Sequence, residues 1–295
     1  MDPAVLQLWT VAGENWWYLC IYILSLPMFI MDLQLADKTA IVLASSSGLG
    51  RAVAQELVSE GADVIISSSN QANLDTATAL IEEAVGDDSG SVDSVCIDLS
   101  DPDSIDTGMS TALEQLGGLD ILVTNHGGPK NNPFEESTLE DFDTVYNNVL
   151  RSTVHACKRA LPALKENGGA ITHLIGASTL EPNVNSAVSN VIRPGIYGLS
   201  KTLANEYGEY GIRVNCVAPR GVMSDRIEQK VQARAERQGI SVEDAYEQRI
   251  DELPLPRLGT PEDFAKATAY ISSPVAAYTT GSILHVDGGW SGFAF

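Results

Sequence analysis

From residue 39 onward, short runs rich in β-branched residues alternate with longer segments of helical periodicity, and this alternation leaves few folds open. Strand–helix–strand units repeated in this way build a parallel sheet with helices on both faces. Seven strands are predicted, at 39–44, 63–67, 92–97, 121–124, 170–175, 213–217 and 283–286. They imply an α/β chain with one doubly wound, parallel, seven-stranded sheet. Between the sixth and seventh strands an insertion at 222–256 carries charged helical stretches at 225–238 and 242–253, broken at Gly239, and is expected to act as a lid. No internal repeat or linker marks a second domain, so residues 31–295 are taken as one domain.

A chain of 295 residues that is 44% hydrophobic can bury one large core. Its charge excludes one class of partner: 39 acidic against 18 basic residues give a net charge of −21, dispersed along the chain, so nucleic acid is not expected. Such a surface repels itself in dilute buffer and is better tolerated where salt shortens the Debye length to about 3 Å at 1 M. A halophilic setting is therefore expected, an ordinary acidic protein being the alternative. Cys20, Cys96, Cys157 and Cys216 are isolated, without a C-x-x-C pair or a His at ligand spacing, so neither a disulfide framework nor a metal site is expected. A reducing cytoplasm fits.

Residues 16–30 form a nearly continuous apolar run. About 20 apolar residues are needed to span a bilayer. This run is cut by Pro27, and no basic residue precedes Lys38, as a signal peptide would require. Residues 1–30 are read as an extension or misassigned start, with a membrane anchor as the alternative.

The first predicted strand runs into Ala44, Ser45, Ser46, Ser47, Gly48, Leu49 and Gly50, followed by an Ala-containing helix. Small residues at a strand-to-helix turn let backbone approach a pyrophosphate, and amides at the helix start face its charge. The turn resembles the T-G-x-x-x-G-x-G motif of the short-chain dehydrogenase/reductase family, with Leu43 and Ala44 where Thr and the first Gly usually stand. Further landmarks follow in order. Asp98 and Leu99 resemble the adenine contact; Thr124, Asn125, His126 and Gly127 resemble N-N-A-G; the stretch from Val214 to Pro219 resembles the approach to the nicotinamide; Val286, Asp287, Gly288 and Gly289 resemble the C-terminal end. The resemblance covers 33–289 and implies a Rossmann-like domain that binds NAD or NADP, acts on a small molecule and assembles as a homotetramer or homodimer. By this resemblance the cofactor residues are Ala44, Ser46, Ser47, Gly48, Leu49, Gly50, Ser68, Ser69, Asn70, Asp98, Leu99, Asn125, Gly127, Arg193, Pro219, Gly221 and Val222. After the second strand no acid holds a ribose hydroxyl and no Arg clamps a phosphate; the hydroxyls of Ser67, Ser68 and Ser69 with Asn70 favour NADP.

The chemical end departs from the family, whose proton donor is a Tyr four residues before a Lys. Tyr197 and Lys201 have that spacing but are read as a decoy. Counting back from Lys201 and Asn215 puts the Lys position at Arg193 and the Tyr position at Ser189. The stretch 189–193 resembles a divergent, 3-oxoacyl-carrier-protein-reductase-like branch, as do Glu181, Pro182 and the lid phrase at 239–244. Val149 stands at the family's Asn position beside Asn148, and the family's Ser aligns with Gly176 or Ser178. A guanidinium stays protonated and cannot relay protons as Lys can. The expected arrangement is Ser178 or Ser189 orienting a substrate oxygen, Arg193 stabilising negative charge, and a proton arriving through water or Tyr197. His126 is a second proton carrier to be tested. The implied activity interconverts a carbonyl and a secondary alcohol, on 3-oxoacyl-type or sugar-derived substrates. Because Ser189 and Arg193 replace the usual pair, a non-redox nucleotide-binding protein, or a lyase or isomerase, stays open.

Overall fold

A computed structural model describes residues 31–86, 89–128 and 132–292, without the side chains of Ser178, Asp225 and Arg226. The expectations for residues 1–30 lie outside the described residues. Seven strands, β1 (Thr39–Val42), β2 (Asp63–Ser68), β3 (Val92–Cys96), β4 (Ile121–Thr124), β5 (Gly169–Leu174), β6 (Ile212–Pro219) and β7 (Ile283–Val286), form one sheet in the order β3-β2-β1-β4-β5-β6-β7. Every pairing is parallel. The first strand ends two residues earlier than predicted. Leu43 still donates to the Val123 carbonyl at 2.9 Å, but Ala44 turns away with φ +48°, which no strand residue adopts.

Nine helices cover the sheet among the described residues: α1 (Gly48–Ser59), α2 (Gln71–Ala84), α3 (Pro102–Leu116), α4 (Leu139–Val145), α5 (Ser152–Asn167), α6 (Ala187–Tyr207), α7 (Asp225–Gln238), α8 (Val242–Ile250) and α9 (Pro261–Ser272). Side chains alternate across each strand. Ala40 and Val42 therefore enter the core beneath α1, α2 and α9, while Ile41 and Leu43 enter the one beneath α3, α5 and α6. The 222–256 insertion holds α7 and α8, whose Val231, Ala235 and Ala245 make a small core of their own. Gly239, with φ +65°, closes α7 where the periodicity broke.

The chain reverses its direction of travel across the sheet between β1 and β4. Connections diverge there, and a crevice opens at the carboxyl ends of the strands. Residues that follow β1, β4, β5 and β6 line it.

Candidate active site

The crevice is a cleft of about 960 Å³. On the β1 side its floor is Ala44, Ser46, Ser47, Gly48 and Leu49. Three bonds hold this turn: Ser45 N–H donates to the Ser67 carbonyl at 2.8 Å, Ala44 N–H to Ser67 Oγ at 3.2 Å, and Asn125 Nδ2 to the Ala44 carbonyl at 2.9 Å. Gly50 lies behind the turn and does not line the cleft. A Cβ at Gly50 would stand 2.7 Å from both the Ala44 oxygen and Asn125 Nδ2, so its part is to let α1 close on the turn. Ser47 caps α1 without a side-chain hydrogen bond, and no acid occupies the first turn. The amides of that turn have no intrahelical partner, and a Cβ at Gly48 would meet nothing within 4 Å. Such a floor fits a pyrophosphate.

Past β2, Ser68 and Ser69 line the cleft. Two residues expected beside them are committed elsewhere. Ser67 is fully buried, its Oγ taking the Ala44 amide. Asn70 caps α2, its Oδ1 accepting from Asn73 N–H at 3.1 Å, and lies off the lining. A phosphate at this end would thus meet two hydroxyls where four polar side chains were expected. Asp98 and Leu99 line the cleft after β3. Asp98 Oδ1 accepts from the Ser100 hydroxyl at 2.7 Å and amide at 2.8 Å, which lowers its pKa and holds it charged.

The opposite wall is α6. Ser189, 5% exposed, and Arg193, one turn later, both line the cleft, as do Asn125, His126, Gly127, Pro219, Gly221 and Val222. His126 Nδ1 faces the Gly127 carbonyl at 3.0 Å. Tyr197, two turns beyond Ser189, is not on the lining; it packs with Val145, Val149, Ile196 and Cys216 in an apolar cluster. The eight-residue step accumulates about 80° of rotation at 3.6 residues per turn, enough to carry Tyr197 off the cleft wall and, half-buried, against this cluster. Ser178 sits in the short turn Ala177–Thr179 after β5, and its side chain is outside the described residues.

Other groups on the lining were not assigned to it from the sequence, although Asn148 and Val149 stand at the family's Asn position. These two reach the lining from a π-helical segment, Tyr146–Arg151, between α4 and α5. The wider π turn advances Asn148 beside the apolar Val149, and such bulges recur at functional sites. Asn183, Arg220, Lys230 and Arg249 line the side over β6. The run Pro219, Arg220, Gly221 held the clue for Arg220, because its neighbours were both assigned to the cleft; Arg249 had no sequence signal beyond its place in the insertion.

The model of the family described as enoyl-(acyl carrier protein) reductase matches residues 43–291. The chain belongs to the short-chain dehydrogenase/reductase family. It is 30% identical over 256 residues to the D-beta-hydroxybutyrate dehydrogenase of Rhizobium meliloti, an alignment covering 86% of this chain and 98% of the relative. It is likewise 30% identical to the 3-oxoacyl-(acyl-carrier-protein) reductase FabG of Staphylococcus aureus, over 85% of this chain and 97% of that protein. Among solved structures, the L-sorbose reductase of Gluconobacter frateurii complexed with NADPH and L-sorbose is similar, with a TM-score of 0.84 and 28% identity over 89% of this chain and all of the other.

Proposed function

We infer that this protein is an NAD(P)-dependent oxidoreductase interconverting a carbonyl and a secondary alcohol, with NADP preferred and a 3-oxoacyl-type or sugar-derived substrate. One observation carries the reading: a single cleft joins the uncapped start of α1 to the Ser189 and Arg193 wall. The bound cofactor supplies or accepts the hydride. The α1 turn would take its pyrophosphate, and Ser68 and Ser69, with no acid in the stretch that follows β2, would leave room for a 2′-phosphate. Ser189 donates a hydrogen bond that orients the substrate oxygen. Arg193 stabilises the negative charge that builds on that oxygen, as fixed donors do in a water-poor site. With Tyr197 off the described lining, the proton travels through cleft water, and His126 is the ring on that lining able to carry it. Closure of α7 and α8 as a lid would exclude bulk water.

Purified protein given NADPH or NADH and a panel of 3-oxoacyl and sugar-derived carbonyls, in low and high salt, tests the reading by loss of reduced-nicotinamide absorbance. Oxidation with any carbonyl is expected, faster with NADPH. Tight binding without oxidation would favour a second reading, elimination, isomerisation or binding alone, which the lack of a Tyr on the described lining supports.

The same proposal extends to assembly and setting. Tyr146, Val191 and Tyr278 are exposed apolar surface suited to a homotetramer or homodimer, and sedimentation in graded salt tests this. The acidic composition supports activity in a salt-rich cytoplasm. Among the described residues no helix is long and apolar enough to cross a membrane.

A further inference from the structure

The cleft does not share the charge of the chain. Basic residues are outnumbered 39 to 18 overall, yet the described lining holds Arg193, Arg220, Lys230 and Arg249 against Asp98 and Asp141. Both acids already accept hydrogen bonds close by in sequence, Asp98 from Ser100 and Asp141 from Thr138. Asp98 follows β3 at the far edge of the sheet, and Asp141 accepts from the amide and hydroxyl of Thr138, both at 2.9 Å, in the cap of α4. Arg220 follows β6 directly, and Lys230 and Arg249 stand on α7 and α8 of the insertion after it, so the topology gathers positive charge over β6.

Two of these cations share the lining, close enough for the Arg249 charge to act on Arg220, and they are held differently. Arg220 is fixed: Nη1 donates to Asn183 Oδ1 at 2.6 Å and the guanidinium lies 3.8 Å over the Trp290 ring. Arg249 keeps its Nε buried with no hydrogen-bond partner. Burial lowers the pKa of both, and the Arg249 charge lowers that of Arg220 further. Two acids offset part of this charge, Glu252 beside both guanidinium groups and Glu181 beside Arg220, but Glu252 already accepts from Arg234 Nη2 at 2.9 Å and Glu181 from Gly292 N–H at 3.3 Å. Two partly buried like charges, one with a buried N–H that lacks an acceptor, favour an anion placed between them. Planar guanidinium forks match the oxygens of a carboxylate or phosphate.

We propose that Arg220 and Arg249 recognise a negatively charged group of the substrate, a carboxylate or a phosphate, while its carbonyl meets Ser189 and Arg193. The proposal rests on the oxidoreductase reading for the carbonyl end only. The cofactor's pyrophosphate has its own floor after β1, with β4 and β5 intervening before β6 in the sheet. Because Arg249 is on the insertion, a bound anion would also draw α8 towards Arg220, which the Trp290 stack keeps in place.

The full chain with NADPH is tested on two charged and neutral pairs, acetoacetate against its methyl ester and dihydroxyacetone phosphate against dihydroxyacetone. At least one charged member is expected to exceed its neutral partner roughly tenfold in kcat/KM, the value of one charged hydrogen-bonded contact. The pair that shows the excess identifies carboxylate or phosphate. In Arg249→Gln that charged-to-neutral ratio should collapse, Arg249→Lys should retain part of it, and the NADPH dissociation constant should stay within about twofold. Equal ratios in wild type and Arg249→Gln, or a variant whose main loss is in NADPH affinity, would overturn the proposal. A binding arm separates it from the oxidoreductase reading: acetoacetate or inorganic phosphate should raise the unfolding temperature of the wild type more than that of Arg249→Gln. If that difference appears without turnover, the anion site stands and the redox reading falls; if turnover appears without it, the reverse holds.

Discussion

The side-chain amide of Asn125, at the end of β4, donates to the carbonyl oxygen of Ala44, at the end of β1, across 2.9 Å. The bond crosses the point where the two halves of the sheet diverge, so one amide keeps the α1 turn in register with the wall that carries His126 and Gly127. Ala44 is in the left-handed region, φ +48°, a conformation that costs an L-residue about 1–2 kcal/mol, and this bond helps to hold it there.

Removing the amide in Asn125→Ala should therefore lower stability by about 1 kcal/mol in urea unfolding and weaken NADPH binding as the turn relaxes. Gly50→Ala should act on the same pair from behind, because its methyl would lie 2.7 Å from both partners. A loss of about 1–3 kcal/mol is expected from that overpacking. The double variant should lose less than the sum, since Asn125 no longer opposes the methyl. Strict additivity would mean the two sites do not share the turn.

At the other wall, Ser189→Ala and Arg193→Ala should lower kcat by roughly 10²-fold, as loss of a transition-state donor does, with smaller changes in NADPH affinity. Tyr197→Phe should keep kcat within about twofold, because the ring packs against an apolar cluster and is not on the cleft lining. A Tyr197→Phe variant with kcat reduced as far as that of Ser189→Ala would restore the tyrosine as proton donor.

His173 on β5 is fully buried, its Nδ1 2.7 Å from Thr124 Oγ1, and desolvation pushes its pKa down from 6.5 to about 4. The unfolded chain takes a proton near pH 6.5 that the folded chain refuses until about pH 4. Stability from this group is complete above 6.5 and is lost as pH falls through that window, amounting to about 3 kcal/mol at its lower end. Urea unfolding between pH 4 and 7 should show this slope, and His173→Gln should flatten it. Asp263, held down to about 2 chiefly by Arg257, acts only below the window.

Burial raises the thiols of Cys157 and Cys216 to about 12, whereas Cys96 is exposed on β3. Peptide mapping after brief alkylation of the native protein should find Cys96 modified and the other two protected until denaturant is added. Early labelling of Cys216 would show that β6 opens locally.

Local patterning alone determined the order and type of the elements: β-branched runs gave seven strands, Gly48 and Gly50 marked a turn before a helix, and Gly239 marked the break in the insertion. Those signals are short-range, set by backbone sterics and by alternation of apolar side chains, so they can be read one segment at a time. The cleft assignments were readable where a residue follows a strand end, as with Ser46, Asn125 and Pro219, because in a parallel sheet all such ends open on one side. Only the tertiary structure decided what those side chains face. It turned Ser67 inward, gave Asn70 to the start of α2, set Tyr197 against an apolar cluster and put Arg249 of α8 on the same lining as Arg220 after β6. The Ser67 and Arg249 outcomes depend on contact between segments far apart in sequence, which no local pattern encodes, whereas those of Asn70 and Tyr197 depend on where each helix begins and how it is turned toward the sheet.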